Sequence, residues 1–296
     1  HAAELVLGET EIADRLAGRT AFSLITPDDD KRKDFEARRQ ALNDADFVIL
    51  CLPDDAAKEA VAMTQSAKTR IIDASTAHRV DQNWAYGFPE YRKGQHDRIA
   101  AARLVSNPGC YPTGFLGLVA PLVAAGLIPE DWPYTVNAVS GYSGGGKALI
   151  ERFESGDGAD IGFRTYGLDL SHKHVPEMQS HAGLGLAPIF SPAVVRAFRG
   201  MMVEVPLPIS VMPGSDSPEE MRACLANHYA GSPVVTVHEQ LAPSELLILN
   251  TQEPSDRLDL YVLGSPDNTQ VRLMAMLDNL GKGASGAAVQ NLNIMA

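Results

Sequence analysis

Phe47-Val48-Ile49-Leu50-Cys51-Leu52, introduced by Asp46 and closed by Pro53, is a short unbroken apolar run. Such a run suits a strand covered on both faces, as in a parallel sheet, where the alternation of apolar and polar residues is lost. Asp54 or Asp55 is expected to cap the helix that follows, which reads to about Thr64. Arg70-Ile71-Ile72-Asp73 and Leu104-Val105-Ser106 read as further strands; upstream, Leu5-Val6-Leu7 and Ala21 to Thr26 do the same. Strand, helix, strand in this rhythm predicts an α/β, Rossmann-like domain with a doubly wound parallel sheet, over residues 1–109.

Beyond Cys110 the pattern changes. Phe115 to Leu127 reads as an apolar helix, kinked at Pro121 because proline removes a donor and crowds the preceding turn. Tyr134–Val139, Met201–Val205, Val234–Val237, Leu258–Leu263 and Val271–Leu277 read as strands, mostly alternating apolar with polar or small residues. That is the pattern of an antiparallel sheet with one covered face, so residues 110–280 are expected to form an α+β domain with a mainly antiparallel sheet. Ser217 should cap a helix to about Tyr229, with Pro218 in its first turn and Glu219 and Glu220 at its positive end. Gly283 to Met295 reads as a last helix, and residues 281–296 are expected to return to the first domain.

The bulk properties narrow the classes. At 296 residues, two domains are the natural expectation, and 45% hydrophobic with 21% charged residues is ordinary for a globular enzyme. A formal charge of -12 argues against nonspecific binding to nucleic acid or an anionic membrane. Three cysteines make no disulfide framework, which points to a reducing compartment, the cytoplasm. No apolar run reaches about 18 residues, so no membrane span is expected. The first residues lack the basic-then-apolar order of a secretory leader. The chain opens on His1 rather than Met, so its natural start is expected to lie upstream or to have been replaced.

The sharpest chemical signal is Ser106-Asn107-Pro108-Gly109-Cys110-Tyr111-Pro112-Thr113-Gly114. A strand ends, Pro108-Gly109 turn the chain, and Cys110 stands at the first turn of a long helix. Unpaired N–H groups and the helix dipole favour a thiolate there, and the same N–H groups suit an oxyanion. The plainer reading, a structural cysteine buried at a turn, stays open on these residues alone. His172-Lys173-His174-Val175-Pro176-Glu177 offers two histidines that share a face if the segment is a strand, with the geometry open if it is a loop. The competing readings are surface histidines or a metal pair; no metal is expected, because a metal needs more ligands than this pair supplies.

The Cys110 nonapeptide resembles the active-site signature of the N-acetyl-gamma-glutamyl-phosphate reductases, within the semialdehyde dehydrogenase family. Tyr86-Gly87-Phe88-Pro89-Glu90, Ser140-Gly141-Tyr142-Ser143-Gly144-Gly145-Gly146-Lys147, the paired-histidine segment and Lys282-Gly283-Ala284-Ser285-Gly286-Ala287-Ala288-Val289-Gln290-Asn291 also resemble that family's segments, in order, from Asp46 onward. The length and loop wording are closer to the shorter of its two size classes. The resemblance implies a glyceraldehyde-3-phosphate-dehydrogenase-like pairing of domains and NADPH-dependent reduction of an acyl phosphate in arginine biosynthesis. It implies Cys110 as the nucleophile, with His172, His174 and Glu177 around it and His172 favoured as acid/base. Thiolate attack releases phosphate, hydride reduces the thioester, and the thiohemiacetal collapses to the aldehyde while a histidine moves the proton. A homo-oligomer, dimer or tetramer, with the second domain's sheet at its interface, is also implied.

Cofactor signals are mixed. Only Gly8 stands where the family has a longer glycine-rich turn. Either the phosphate cradle is lost, or the chain as written omits a flexible loop; the second is favoured and predicts a junction at Gly8–Glu11 too long for neighbouring residues, whose Cα atoms lie about 3.8 Å apart. Lys31, Arg32 and Lys33 are either a solvated cluster or a seat for the NADP 2'-phosphate, and the resemblance favours NADP(H). Cys51, Leu52, Pro53 and Ser75 sit at strand ends as cofactor neighbours. Gly141 to Gly146 are expected to form a flexible loop, either a mere turn or a backbone that a ligand can approach closely; Ser140, Gly141, Ser143 and Gly144 are candidate cofactor neighbours, and by resemblance Asn279 reaches the nicotinamide amide. Arg79, with Asn107 and Tyr142, is a candidate for binding the substrate, since arginine matches phosphate or carboxylate; for Arg79 a surface cation is the competing reading. Cys224 reads as packing. The rival activities are aspartate-semialdehyde dehydrogenase, a reductase of carrier-bound aminoadipyl phosphate, a cysteine hydrolase and a non-catalytic binding protein.

Overall fold

The computed structural model describes residues 2–7, 12, 15–16, 22–25, 34–158, 160–214, 217–239 and 244–296. The Gly8–Glu11 junction and Lys31-Arg32-Lys33 lie outside them. Two compact units emerge: His1–Pro89 with Lys93–Gly109 and Ala284–Ala296, and Glu90–Arg92 with Cys110–Gly283.

The first unit is built on a parallel sheet of β1 (Ala2–Leu7), β2 (Phe22–Ile25), β3 (Phe47–Leu50), β4 (Arg70–Asp73), β5 (Ala85–Tyr86) and β6 (Leu104–Ser106), in the order β2-β1-β3-β4-β6-β5. The run that decides the fold explains itself in this setting. Phe47 and Ile49 enter one cluster with Ile72, Val105, Ala288 and Leu292, the last two from α8 (Gly286–Met295). Val48 and Leu50 enter a second cluster with Leu42 of α1 (Phe35–Asp44) and Ala57, Ala60 and Met63 of α2 (Asp54–Met63). Both faces are covered, so apolar residues fill both. The strand order turns back between β1 and β3, the place where such sheets receive ligands at their carboxyl ends. Helix α3 (Gln95–Ala101) belongs to the same unit.

One expectation fails at α2. Pro53 occupies the cap position and no side chain caps it. The Asp54 carboxylate instead accepts from the Thr76 N–H at 2.9 Å and from the Thr76 hydroxyl, tying down the next loop.

The second unit carries a mixed sheet of β7 (Thr135–Gly141), β8 (Phe163–Thr165), β9 (Ile189–Val195), β10 (Met201–Leu207), β11 (Val235–Val237), β12 (Leu258–Gly264) and β13 (Val271–Leu277), ordered β11-β12-β13-β10-β7-β9-β8. Among the described residues four of six neighbour pairings are antiparallel; β7–β9 and β11–β12 are parallel. Strand β9 has no counterpart in the sequence reading because Pro192 lies inside it, and proline normally disqualifies an interior strand.

Helix α4 (Cys110–Ala124) packs on β10 and β13, and on α6 (Val175–Ala182) and α7 (Pro218–His228). Gly114 permits that approach: a Cβ there would stand 2.7 Å from Val203 Cγ2. Pro121 sits inside α4 and leaves the Gly117 carbonyl without its usual helical donor. The Tyr229 hydroxyl replaces it, donating to Gly117 O at 2.9 Å. Ser217 caps α7 as read, its Oγ accepting from the Glu220 N–H at 3.1 Å. Among the described residues no helix is long and apolar enough to cross a membrane.

Candidate active site

Cys110 is the first residue of α4, half-buried and reduced. Gly283 lies against it: a Cβ on Gly283 would stand 2.8 Å from Cys110 Cβ and 3.3 Å from its Cα. Gly283 belongs to a π turn, Gly281–Ser285, a geometry common at functional sites.

A cluster of aromatic rings surrounds the next residue. The buried Tyr111 hydroxyl donates to Ala193 O at 3.1 Å and accepts from the Tyr166 hydroxyl at 3.2 Å. Burial, then Tyr166, then the Cys110 sulfur hold Tyr111 far above the usual phenol range. Tyr166 is also raised, by burial first, with Cys110 contributing in the same sense. Both phenols therefore feel the charge state of Cys110 and stay protonated.

His172 completes the cluster, its ring 5.6 Å from Tyr166, 6.3 Å from Tyr111 and 5.1 Å from Phe190. It lies in a turn and not on a strand, with the His174 ring 4.8 Å away. The His174 backbone N–H donates to His172 Nδ1 at 3.2 Å, which places the proton of neutral His172 on Nε2. Burial first, and Lys173 second, hold His172 below the ordinary histidine value; Asp169 opposes them. His174 is buried at the N-cap of α6, 5.9 Å from the Tyr111 ring, and Glu177 is buried in the first turn of that helix.

A second group of polar residues gathers in the same unit. Asn279 Nδ2 donates to Ser143 Oγ at 2.9 Å, and Asn279 Oδ1 accepts from the Gly200 N–H at 2.9 Å. Ser140 is buried beneath, and the Gly141 N–H donates to Gly200 O at 2.8 Å. A Cβ on Gly144 would approach Ser140 Oγ at 3.2 Å and Asn279 Nδ2 at 3.3 Å, yet Gly144 itself is exposed, so its backbone is open to a ligand. The expected flexible loop is in fact a 3-10 turn, Tyr142–Gly145, leading directly into α5 (Gly146–Glu154). Tyr142 is turned to packing: it stacks on Phe153 with ring centroids 5.0 Å apart, and its hydroxyl donates to Glu154 at 3.3 Å.

In the first unit, Cys51, Leu52 and Pro53 follow β3 and Ser75 follows β4, at the carboxyl ends of strands near the turning point of the sheet order. Arg79 is no surface cation. It is buried, donating from Nε to Asn107 O at 2.9 Å and from Nη2 to Ala74 O at 2.9 Å. Asn107 is likewise engaged, donating to Ala284 O at 3.0 Å and accepting from Asn291 at 3.1 Å. Gly8, Arg32 and Lys33 lie outside the described residues. Cys224 is a packing residue, its thiol 3.9 Å from Pro121 O and pushed up by burial.

Two buried ion pairs went unread in the sequence: Arg199–Asp278 at 2.8 Å and Lys282–Glu90 at 2.8 Å. Glu90 and Lys282 both stand in segments that carry the family resemblance, but 192 residues of separation conceal the pairing. Tyr166 lacked any signal, because a lone tyrosine in a loop has no periodicity to betray it.

The family model for the semialdehyde dehydrogenase NAD binding domain matches residues 10–99, and that for the semialdehyde dehydrogenase dimerisation domain matches residues 110–279. The N-acetyl-gamma-glutamyl-phosphate reductases of Brucella ovis and Brucella canis are each 51% identical over 291 residues, spanning 96% of this chain and 94% of theirs. Among solved structures, aspartate semialdehyde dehydrogenase II from Vibrio cholerae superposes with a TM-score of 0.71 at 15% identity, covering 99% of this chain and 98% of that one. The aspartate semialdehyde dehydrogenase from Francisella tularensis gives 0.71 at 12% identity over both whole chains. These last two share the fold; the sequence identity with the reductases carries the assignment. The chain belongs to the N-acetyl-gamma-glutamyl-phosphate reductases of the semialdehyde dehydrogenase family.

Proposed function

We propose that this chain reduces N-acetyl-gamma-glutamyl phosphate to the 5-semialdehyde, with release of phosphate, using NADPH in the arginine pathway of the cytoplasm. The observation that supports the mechanism is Cys110 at the head of α4, felt by the buried, protonated Tyr111 and Tyr166, whose rings lie 6.3 Å and 5.6 Å from that of His172. The Cys110 sulfur attacks the acyl carbon; the carbon–oxygen bond to phosphate breaks and a thioester forms. When bound, the nicotinamide supplies the hydride. The resulting oxyanion re-forms a carbonyl as the carbon–sulfur bond breaks, returning the thiolate. One proton is taken up overall. His172, with its proton on Nε2, is the group proposed to move it, while His174 and Glu177 hold the segment.

Ser140, Gly141, Ser143, Gly144 and Asn279 suit the amide end of a nicotinamide, since the open Gly144 backbone and the Asn279 amide are already preorganised. Cys51, Leu52, Pro53 and Ser75, with Gly8, Arg32 and Lys33, are proposed for the nucleotide end, and Arg79, Asn107 and Tyr142 for support of the substrate region. Residues 1–109 with 281–296 are proposed as the nucleotide domain and residues 110–280 as the catalytic and oligomerising domain, in a dimer or tetramer.

A phosphate-dependent assay of N-acetylglutamate semialdehyde oxidation, with NADP and NAD side by side, tests the reading. Cys110→Ser should abolish turnover while NADPH still binds. Full turnover by that variant, or none by the folded parent, would sink it.

A further inference from the structure

Lys282 is 2% exposed, which is costly for an ammonium group, and its Nζ lies 2.8 Å from Oε2 of Glu90, whose side chain is 11% exposed. A buried pair of this kind seldom adds stability over apolar residues of the same shape, so its presence asks for another reason. Its neighbours supply one. Lys282 is the second residue of the π turn whose third residue, Gly283, lies against Cys110. The other partner is fixed: Glu90 O accepts from His228 Nε2 at 2.9 Å, and Arg92 donates to His181 O at 2.8 Å, tying residues 90–92 to α7 and α6. The near end of the turn is also held. The Gly283 N–H donates to Asp278 O at 3.0 Å, and the Asp278 carboxylate accepts from Arg199, from the Ser255 N–H at 3.1 Å and from the Leu280 N–H at 2.9 Å.

We infer that Lys282 and Glu90 are positioning residues: their ion pair clamps the π turn so that Gly283 holds Cys110 in the geometry its attack requires. The clamp works through Gly283, not by touching substrate, and it rests on Cys110 being the nucleophile. Asn279 lies two residues upstream of the start of the turn, so a single short segment links the Ser143 group to the nucleophile.

The test uses the full chain and three variants, the third being the charge-keeping Lys282→Arg. Lys282→Met keeps the length of the side chain and removes the charge. Gly283→Ala leaves the ion pair intact and places a methyl group into Cys110. Four quantities are measured: kcat, KM for NADPH, thermal midpoint, and the rate of Cys110 alkylation by iodoacetamide, mapped on its own peptide because Cys51 and Cys224 also react. Displacements of the order of 1 Å at a reacting group lower rates by about 100-fold, so each variant should lose about that much kcat while KM for NADPH stays within about twofold. Cys110 alkylation should change in both, and Lys282→Arg, which keeps the pair, should recover most of kcat. A folded Lys282→Met with the parent's kcat and alkylation rate would overturn the inference. Should Lys282→Met fail to fold, Gly283→Ala decides alone, and parental values there overturn it equally. An active Cys110→Ser would instead remove the mechanism beneath it, an outcome these two variants do not mimic.

Discussion

Two buried aspartates stand at the ends of strands in the two units, and they are satisfied in opposite ways. Asp73, the last residue of β4, accepts from the Ser75 N–H at 2.9 Å and the Ser75 hydroxyl at 2.8 Å, and pairs with His78 Nδ1 at 2.6 Å. Its partners lie within five residues, and His78 is further pinned by stacking on Trp84 at 4.1 Å. Asp278, just past β13, reaches Arg199, 79 residues away, and Ser255, 23 residues away. The first network organises one loop. The second ties two distant stretches of chain to the turn that meets Cys110. A local network forms as its loop forms, whereas a long-range one exists only after the whole unit has folded.

The comparison can be broken by removing each carboxylate. Asp278→Ala should do the greater damage, about 3–5 kcal/mol, because it leaves the mostly buried Arg199 cation without its counter-charge. A large fall in the thermal midpoint, with kcat lost in whatever remains folded, is the expected result. Asp73→Ala should cost about 2 kcal/mol, since its loss strands polar groups that need not carry charge. Equal losses from the two variants would erase the distinction. The smallest effect concerns His172. Burial holds its folded value below the unfolded one, so its stabilising increment is complete above the ordinary histidine range and is lost as pH falls through the folded value. Because the ring is only half-buried, the increment is small. The same shift keeps His172 neutral into mildly acid solution, so the acid limb of kcat against pH should lie below the ordinary histidine midpoint and vanish in His172→Gln.

This contrast also explains what was legible beforehand. The run at Phe47–Leu52 was readable because burial on both faces leaves a continuous apolar signature in one strand. Cys110 was readable as a candidate because turn, cysteine and helix start are adjacent in the chain. Ser217 was readable as a cap for the same reason of proximity. Asp54 misled, since a helix-start aspartate that serves Thr76 looks identical to one that caps. Pro192 hid β9, and the glycine-rich segment after β7 suggested freedom where the chain instead winds into a 3-10 turn. Arg79 and Asn107 read as candidates for binding the substrate, and their polar groups engage backbone carbonyls and the Asn291 side chain, partners that no motif announces. Lys282 with Glu90, and Arg199 with Asp278, were beyond reach because each depends on a meeting of segments far apart in sequence.

Pro121 has a kinetic consequence for the helix that starts at Cys110. The missing rung at Gly117 divides the amide ladder into two lengths, and the outer one borrows its closure from Tyr229. Fraying that enters from the Ala124 end therefore meets a natural stop about three turns short of the sulfur. The rungs nearest Cys110 open only with the sheet beneath them, so deuterium should penetrate the far half of this helix long before it reaches the half that bears the thiol.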